Sequence, residues 1–234
     1  MTSAPSWTTF RSMGLSHDEQ CKIPQDFLRN DGIQLEAILA LLPETFFQQR
    51  RIIQIAGESG SGKSVTAVSL QRLLLERGVD AGILHQDDYF HLPPASNHQK
   101  RVHDISWVGP QEVKLDLIAT HQQAFLNGES RIEKPLVDYH ENQILSEVMH
   151  LDAYQVLLVE GTYVFEAGAA DLRVFMTRNY LQTRKNRLER ARENASDFIE
   201  LVLGMEHEII QKQSERAHLL VLHDYTIQIL HLPA

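Results

Sequence analysis

The sequence predicts an α/β domain: a mostly parallel sheet of five strands with helices on both faces. Three observations predict it. From Arg51 onward, short apolar runs alternate with longer segments of helical periodicity, the pattern of strand–helix–strand units. The first such run, 51–56, leads directly into a glycine-rich turn and then an apolar helical stripe. At 234 residues and 43% hydrophobic side chains, the chain can bury one substantial core and has an ordinary globular composition.

The elements follow in order. Residues 1 to about 30 are polar and turn-rich, after which Ile33, Leu35, Ile38, Leu39, Leu41 and Leu42 form an apolar helical stripe ended near Pro43. Residues 1–47 therefore read as an N-terminal helical extension and 48–234 as the main domain. The stripe suits either a helix docked on the core or a contact between copies of the chain, so a homo-oligomer stays open. Strands are expected at 52–56, 81–86, 154–160, 172–177 and 225–230, and helices at 63–77, 110–126, 180–193 and 196–216. In open sheets of this kind ligands bind outside the carboxyl ends of the strands. Chemistry is therefore sought where each strand ends.

The first strand ends in Gly57-Glu58-Ser59-Gly60-Ser61-Gly62-Lys63-Ser64, which fits the phosphate-binding pattern G-x-x-x-x-G-K-[ST] between a strand and a helix. Glycines let the backbone curl so that its N–H groups converge on phosphate oxygens, and the helix opening near Lys63 adds its positive end. In this pattern Lys63 reaches the β/γ-phosphates and Ser64 ligates Mg²⁺. Positions 57 to 65, with Val65 at the first apolar position of the helix, are the expected contacts to a nucleotide such as ATP.

The second strand ends in His85-Gln86-Asp87-Asp88-Tyr89-Phe90 and the third in Leu157-Leu158-Val159-Glu160-Gly161. An acid at each strand end is what Mg²⁺-dependent phosphoryl transfer requires, one carboxylate for the metal and one to orient and deprotonate the attacking hydroxyl. Taken singly, each acid also suits a helix cap or a solvated charge. Arg184, Arg187 and Arg190 recur every three residues along the helix at 180–193, either as a solvated basic face paired with Glu189 and Glu193 or as a lid over ATP.

The bulk numbers exclude several classes. A formal charge of −9 argues against a nucleic-acid or anionic-membrane surface. The single cysteine, Cys21, excludes an internal disulfide and a cysteine-rich zinc site, which fits a reducing compartment. No window approaches a membrane span and the start lacks a signal-type apolar stretch, so a cytoplasmic location is the expectation. The histidines show no zinc-protease spacing, and no N-K-x-D or L-S-G-G-Q-like segment is present to suggest a GTPase switch or a transporter ATPase.

The phosphate loop, the Gln86-Asp87-Asp88-Tyr89-Phe90 run and the Val159-Glu160-Gly161 strand end together resemble the uridine kinase and nicotinamide riboside kinase group, which also includes phosphoribulokinase and bacterial pantothenate kinase relatives. The likeness spans about residues 51 to 230. It implies a P-loop kinase fold with an arginine-bearing helical lid. It implies Asp87 as catalytic base, Glu160 as a Mg²⁺ ligand beside Ser64, and Arg187 and Arg190 as phosphate-contacting lid residues, with Arg184 next to the nucleotide. Asp104, in Val102-His103-Asp104-Ile105-Ser106-Trp107, is the nearest match to an acid that contacts substrate hydroxyls. Lys134-Pro135-Leu136-Val137-Asp138-Tyr139-His140 resembles a substrate-recognition segment, so Tyr139 and His140 join the expected substrate contacts, as does Tyr89 of the Gln86–Phe90 run; packing on the core is the other reading of Tyr139. The activity implied is transfer of the γ-phosphoryl group of ATP to a primary hydroxyl, first of a ribonucleoside. Nicotinamide riboside, pantothenate and sugar-phosphate acceptors, or a regulatory nucleotide-binding protein with a degenerated acceptor pocket, stay open.

Overall fold

The computed structural model describes residues 35–36, 38–189 and 196–231. Its centre is a six-stranded sheet built from β1 (Arg51–Gly57), β2 (Ala81–His85), β5 (Val156–Gly161), β6 (Leu172–Met176), β7 (Leu219–Val221) and β8 (Ile227–Ile229), in the order β2-β5-β1-β6-β7-β8. All pairings are parallel except β7 with β8. Five strands were expected; the sixth, β7, is a three-residue Leu-Leu-Val run too short to show a period in sequence.

The central strands are buried on both faces, and alternation along β1 sorts its side chains between two cores. Ile53 and Ile55 pack with Val68, Leu70 and Leu74 of α1 (Lys63–Glu76), while Ile52 and Ala56 pack with Ile118 and Phe125 of α3 (Leu115–Leu126) and Ile210 at the end of α5 (Asp197–Ile210). Leu35, Ile38, Leu39 and Leu42 of the N-terminal apolar stripe are buried in the first of these cores. Residues 35–36 and 38–41 are helical, as the stripe predicts.

Two expected helices differ, and one segment singled out for substrate recognition proves to be a strand. The predicted helix at 110–126 is broken: Pro110–Glu112 is a 3-10 turn and α3 starts at Leu115. Val113 pairs with Phe90 in an isolated bridge, and Lys114 N–H donates to the Tyr89 carbonyl at 2.8 Å, so these two residues serve the chain beyond β2 rather than a helix. The predicted helix at 196–216 ends at Ile210 and tightens to 3-10 geometry over Gln211–Arg216. The segment around 134–140 is half of a separate antiparallel hairpin, β3 (Arg131–Asp138) and β4 (Gln143–His150). A further helix, α2 (Pro94–His103), was not expected, because its residues are polar and only Asn97 is buried. Helix α4 (Tyr180–Glu189) follows β6.

Candidate functional site

Register brings the strand ends to one edge. Across β1, β5 and β2, Ile55 lies opposite Glu160 and Glu160 opposite His85, while Gly57 lies opposite Met176 of β6. Gly57 is required there: a Cβ would stand 2.8 Å from the Met176 carbonyl oxygen, and its φ of 152° disfavours any side chain. The loop then closes on itself through the Ser61 N–H to Glu58 carbonyl bond at 3.1 Å. Gly62 caps α1 without a side-chain acceptor, and the first turn of α1 holds no acid. A helix start of this kind offers its backbone amides and positive end to an anion such as phosphate. Lys63 Nζ donates to the Glu58 carbonyl at 2.9 Å, placing its charge under the loop.

Ser64 Oγ donates to Glu160 Oε1 at 3.1 Å, and His85 Nδ1 meets the same oxygen at 2.7 Å. Burial pushes the Glu160 carboxyl up, but His85, Lys63 and the Ser64 hydroxyl outweigh it and hold the group below the ordinary range, as a carboxylate. Paired hydroxyl and carboxylate oxygens fit a hard divalent cation. Among the described residues there is no cluster of three or more histidine, cysteine, aspartate or glutamate side chains that could hold a metal ion. Strand ends β2 and β5 are also locked together. Gln86 Oε1 accepts from Tyr163 N–H at 2.7 Å and its Nε2 donates to Thr162 Oγ1 at 2.8 Å. A Cβ on Gly161 would lie 2.2 Å from Gln86 Cβ, so glycine after Glu160 is a packing requirement.

The adjacent acids diverge. Asp87 is exposed and lines a cavity of about 320 Å³, together with Ser59 of the phosphate loop and Thr162 after β5. Asp88 is buried, accepting from Lys134 Nζ at 3.1 Å and from Val137 N–H at 3.0 Å, which fastens the β3–β4 hairpin to the sheet. Tyr89 is fully buried; its hydroxyl meets His121 Nδ1 at 2.8 Å, and burial followed by Asp88 and Glu147 pushes its pKa above the ordinary tyrosine value. Its side chain does not line the cavity.

Of the other expected substrate contacts, Tyr139 lines the cavity. The side chain of His140 is 92% exposed, pairs with Glu141 at 2.6 Å, and lies outside the cavity wall. Asp104 also lies outside it, capping the short 3-10 helix Ile105–Trp107 by accepting from Ser106 N–H and Oγ. Those bonds lower its pKa. Arg184 pairs with Glu200 of α5 at 3.4 Å. The side chain of Arg187 and all of Arg190 lie outside the described residues.

Sequence reading missed the opposite wall of the cavity. From α2 come Asn97, His98 and Arg101, and from α5 come Phe198, Ile199, Val202, Leu203 and Glu206. Arg101 makes a bidentate pair with fully buried Glu112, at 2.6 and 2.9 Å, and donates to Glu206 at 2.8 Å. Glu112 also accepts from Asn97 Nδ2 at 2.5 Å and Gly109 N–H at 2.7 Å. Burial opposes the charged form of Arg101, but Glu206 and Glu112 more than reverse that and raise its pKa above the ordinary value. A signal was present: Val202, Glu206 and Ile210 share one helix face, so an acid sits in an apolar stripe.

The profile of the Phosphoribulokinase / Uridine kinase family matches residues 52–179, from β1 to the turn before α4. The chain belongs to this family. It is a P-loop kinase, a phosphotransferase by membership, and the family implies use of ATP. Over 182 residues it is 26% identical to a uridine kinase of Leuconostoc citreum, covering 73% of this chain and 86% of that one. Over 194 residues it is 30% identical to a bifunctional α-galactosidase/sucrose kinase of Mediterraneibacter gnavus, a match covering 77% of this chain but only 21% of that much longer protein. Among solved structures, one described as a possible uridine kinase from Bacillus stearothermophilus superposes with a TM-score of 0.60 at 18% identity, covering 82% of this chain and 98% of that one. Phosphoribulokinase from Rhodobacter spheroides superposes with a TM-score of 0.55 at 14% identity, covering 80% and 77%. These two likenesses speak to the fold alone. No helix of the described residues is long and apolar enough to cross a membrane.

Proposed function

We propose that this kinase transfers the γ-phosphoryl group of ATP to a hydroxyl of a small, uncharged, polyhydroxylated acceptor, with a ribonucleoside as the first reading. One observation carries it: Asp87 stands exposed at the end of β2, in the wall of a cavity that also includes Ser59 of the phosphate loop. A base in that position accepts the acceptor's hydroxyl proton as the oxygen attacks phosphorus. Ser64 and Glu160 would hold Mg²⁺, which neutralises charge between the β- and γ-phosphates. Lys63 and the amides at the start of α1 would hold the phosphates themselves, with Arg187 and Arg190 as candidate lid contacts. Such a kinase works without nucleic acid or membrane as partner.

The wall chemistry supports an uncharged acceptor. The cationic lining group, Arg101, is already bound to two carboxylates, whereas a phosphate or carboxylate acceptor calls for an arginine presenting its fork to the ligand. Tyr139, Phe90 and Phe198 offer faces to a base or a sugar ring. A free saccharide is the second reading, favoured by the likeness to the sucrose kinase-bearing protein.

A coupled ATP-Mg²⁺ assay of uridine, cytidine, nicotinamide riboside, fructose, sucrose, pantothenate and ribulose 5-phosphate tests this. Turnover is expected with an uncharged member of the panel. Preference for pantothenate or the sugar phosphate overturns the acceptor class and leaves the kinase; no turnover of any of them favours a degenerated pocket.

A further inference from the structure

Glu58 holds a position where the phosphate-loop pattern specifies no residue type. Its side chain is nevertheless only 3% exposed and employed on both oxygens. Oε2 accepts from Tyr180 N–H at 2.6 Å, and Oε1 accepts from His207 Nδ1 and Gln211 Nε2, each at 2.7 Å. Tyr180 opens α4, while His207 lies in the last turn of α5 and Gln211 just beyond it. The next loop residue adds a fourth tie, since Thr183 Oγ1 donates to the Ser59 carbonyl at 2.9 Å. The loop is therefore fastened both to α4, which carries Arg184, and to the end of α5.

We infer that Glu58 is a positioning residue for phosphoryl transfer, holding the phosphate loop, the start of α4 and the end of α5 as one unit so that the loop amides and Lys63 meet the phosphates on a fixed frame. The inference rests on the ATP-kinase reading. Three donors converge on the group, which calls for an acceptor-only side chain; the carboxylate meets that condition, and it fixes His207 with its proton on Nδ1. Glutamine keeps the length but turns one N–H toward a donor. Charge-assisted bonds of this length are short and directional, so the unit they hold is rigid. A misplacement of about 1 Å between reacting groups costs about 10²-fold in rate.

The test compares Glu58→Ala, Glu58→Gln and the double variant His207→Ala/Gln211→Ala with the parent. It reads kcat, KM for ATP, KM for the acceptor, and the Kd of a non-hydrolysable ATP analogue. Glu58→Ala is expected to lower kcat/KM for ATP by about 10²-fold with acceptor KM held within about twofold. Glu58→Gln should recover part of that, because its oxygen still accepts from Tyr180 N–H. The double variant should shift the same constants in the same direction from the other side of the contact. A role in folding alone lowers the thermal midpoint and the active fraction while leaving the KM of the folded molecules unchanged, which overturns the inference. So does a change confined to acceptor KM. If Glu58→Ala does not fold, Glu58→Gln and the double variant decide. If the parent phosphorylates nothing, the kinase reading has failed separately, and analogue affinity decides: weaker binding by both remaining variants supports the inference, and equal binding overturns it.

Discussion

On the phosphate side of the cavity, eight consecutive residues, Gly57 to Ser64, supply the loop, and parallel register delivers His85 and Glu160 beside it. On the side proposed for the acceptor, the wall is assembled from α2, the β3–β4 hairpin and α5, segments separated by up to about a hundred residues. The first uses backbone amides, which every residue has and which only a few φ values can aim. The second uses side chains held by ion pairs, in which Arg101, Glu112 and Glu206 must all arrive. A site made of backbone is compact in sequence and shared by kinases of many acceptors; a site made of side chains is dispersed, and there acceptor choice is set.

The largest effect is expected on the phosphate side. Lys63→Ala removes the one side-chain cation that the loop pattern assigns to the β/γ-phosphates, so transfer should fall by at least about 10²-fold. The melting temperature should stay near the parent's. Parent-like turnover in the purified variant would remove the loop from the mechanism.

The neighbouring acids at the end of β2 sharpen the contrast. Asp87→Asn keeps shape and loses the base, so kcat should drop about 10²–10⁴-fold with ATP affinity nearly unchanged. Asp88→Ala leaves buried Lys134 with Glu147, at 3.5 Å, as its remaining carboxylate partner and takes the acceptor from Val137 N–H, and should cost about 1–3 kcal/mol of stability, read as a lower urea midpoint. Reversed outcomes, with Asp88→Ala hitting kcat in a fully stable protein, would exchange their roles.

The smallest effect is on acid stability. Because the folded-state pKa of Glu160 is lowered, its contribution is present above the ordinary glutamate value, about pH 4.3, and is lost as pH falls through the lower folded value. The stability difference between the parent and Glu160→Gln should therefore shrink on acidification below about pH 4. A difference constant from pH 7 to pH 3 in urea titrations would contradict the assigned direction.

Much of this is legible in the sequence. The strand–loop–helix context of Gly57–Ser64 was readable because steric demands on backbone are local: Gly57 must avoid Met176, and Gly62 must start a helix without a cap. The acids at 87 and 160 were readable because parallel strands end on one edge. Which of Asp87 and Asp88 faces the cavity was set by the resemblance, and the structure supplies the physical reason: Asp88 is claimed by Lys134. Asp104 and His140 were placed by motif resemblance and Tyr89 by its place beside Asp87 and Asp88, and none of these says which side chain a cap, solvent or the core will take.

What the sequence determined by itself was the α/β class, the phosphate loop and the acidic strand ends, since each depends on periodicity or on backbone geometry within a few residues. What only the tertiary structure decided was the six-strand order, the β3–β4 hairpin, the Arg101–Glu112–Glu206 wall and the Glu58 latch to Tyr180, His207 and Gln211. Those contacts join residues up to 153 positions apart, and a hydrogen bond or ion pair carries no imprint on the spacing of the partners that form it.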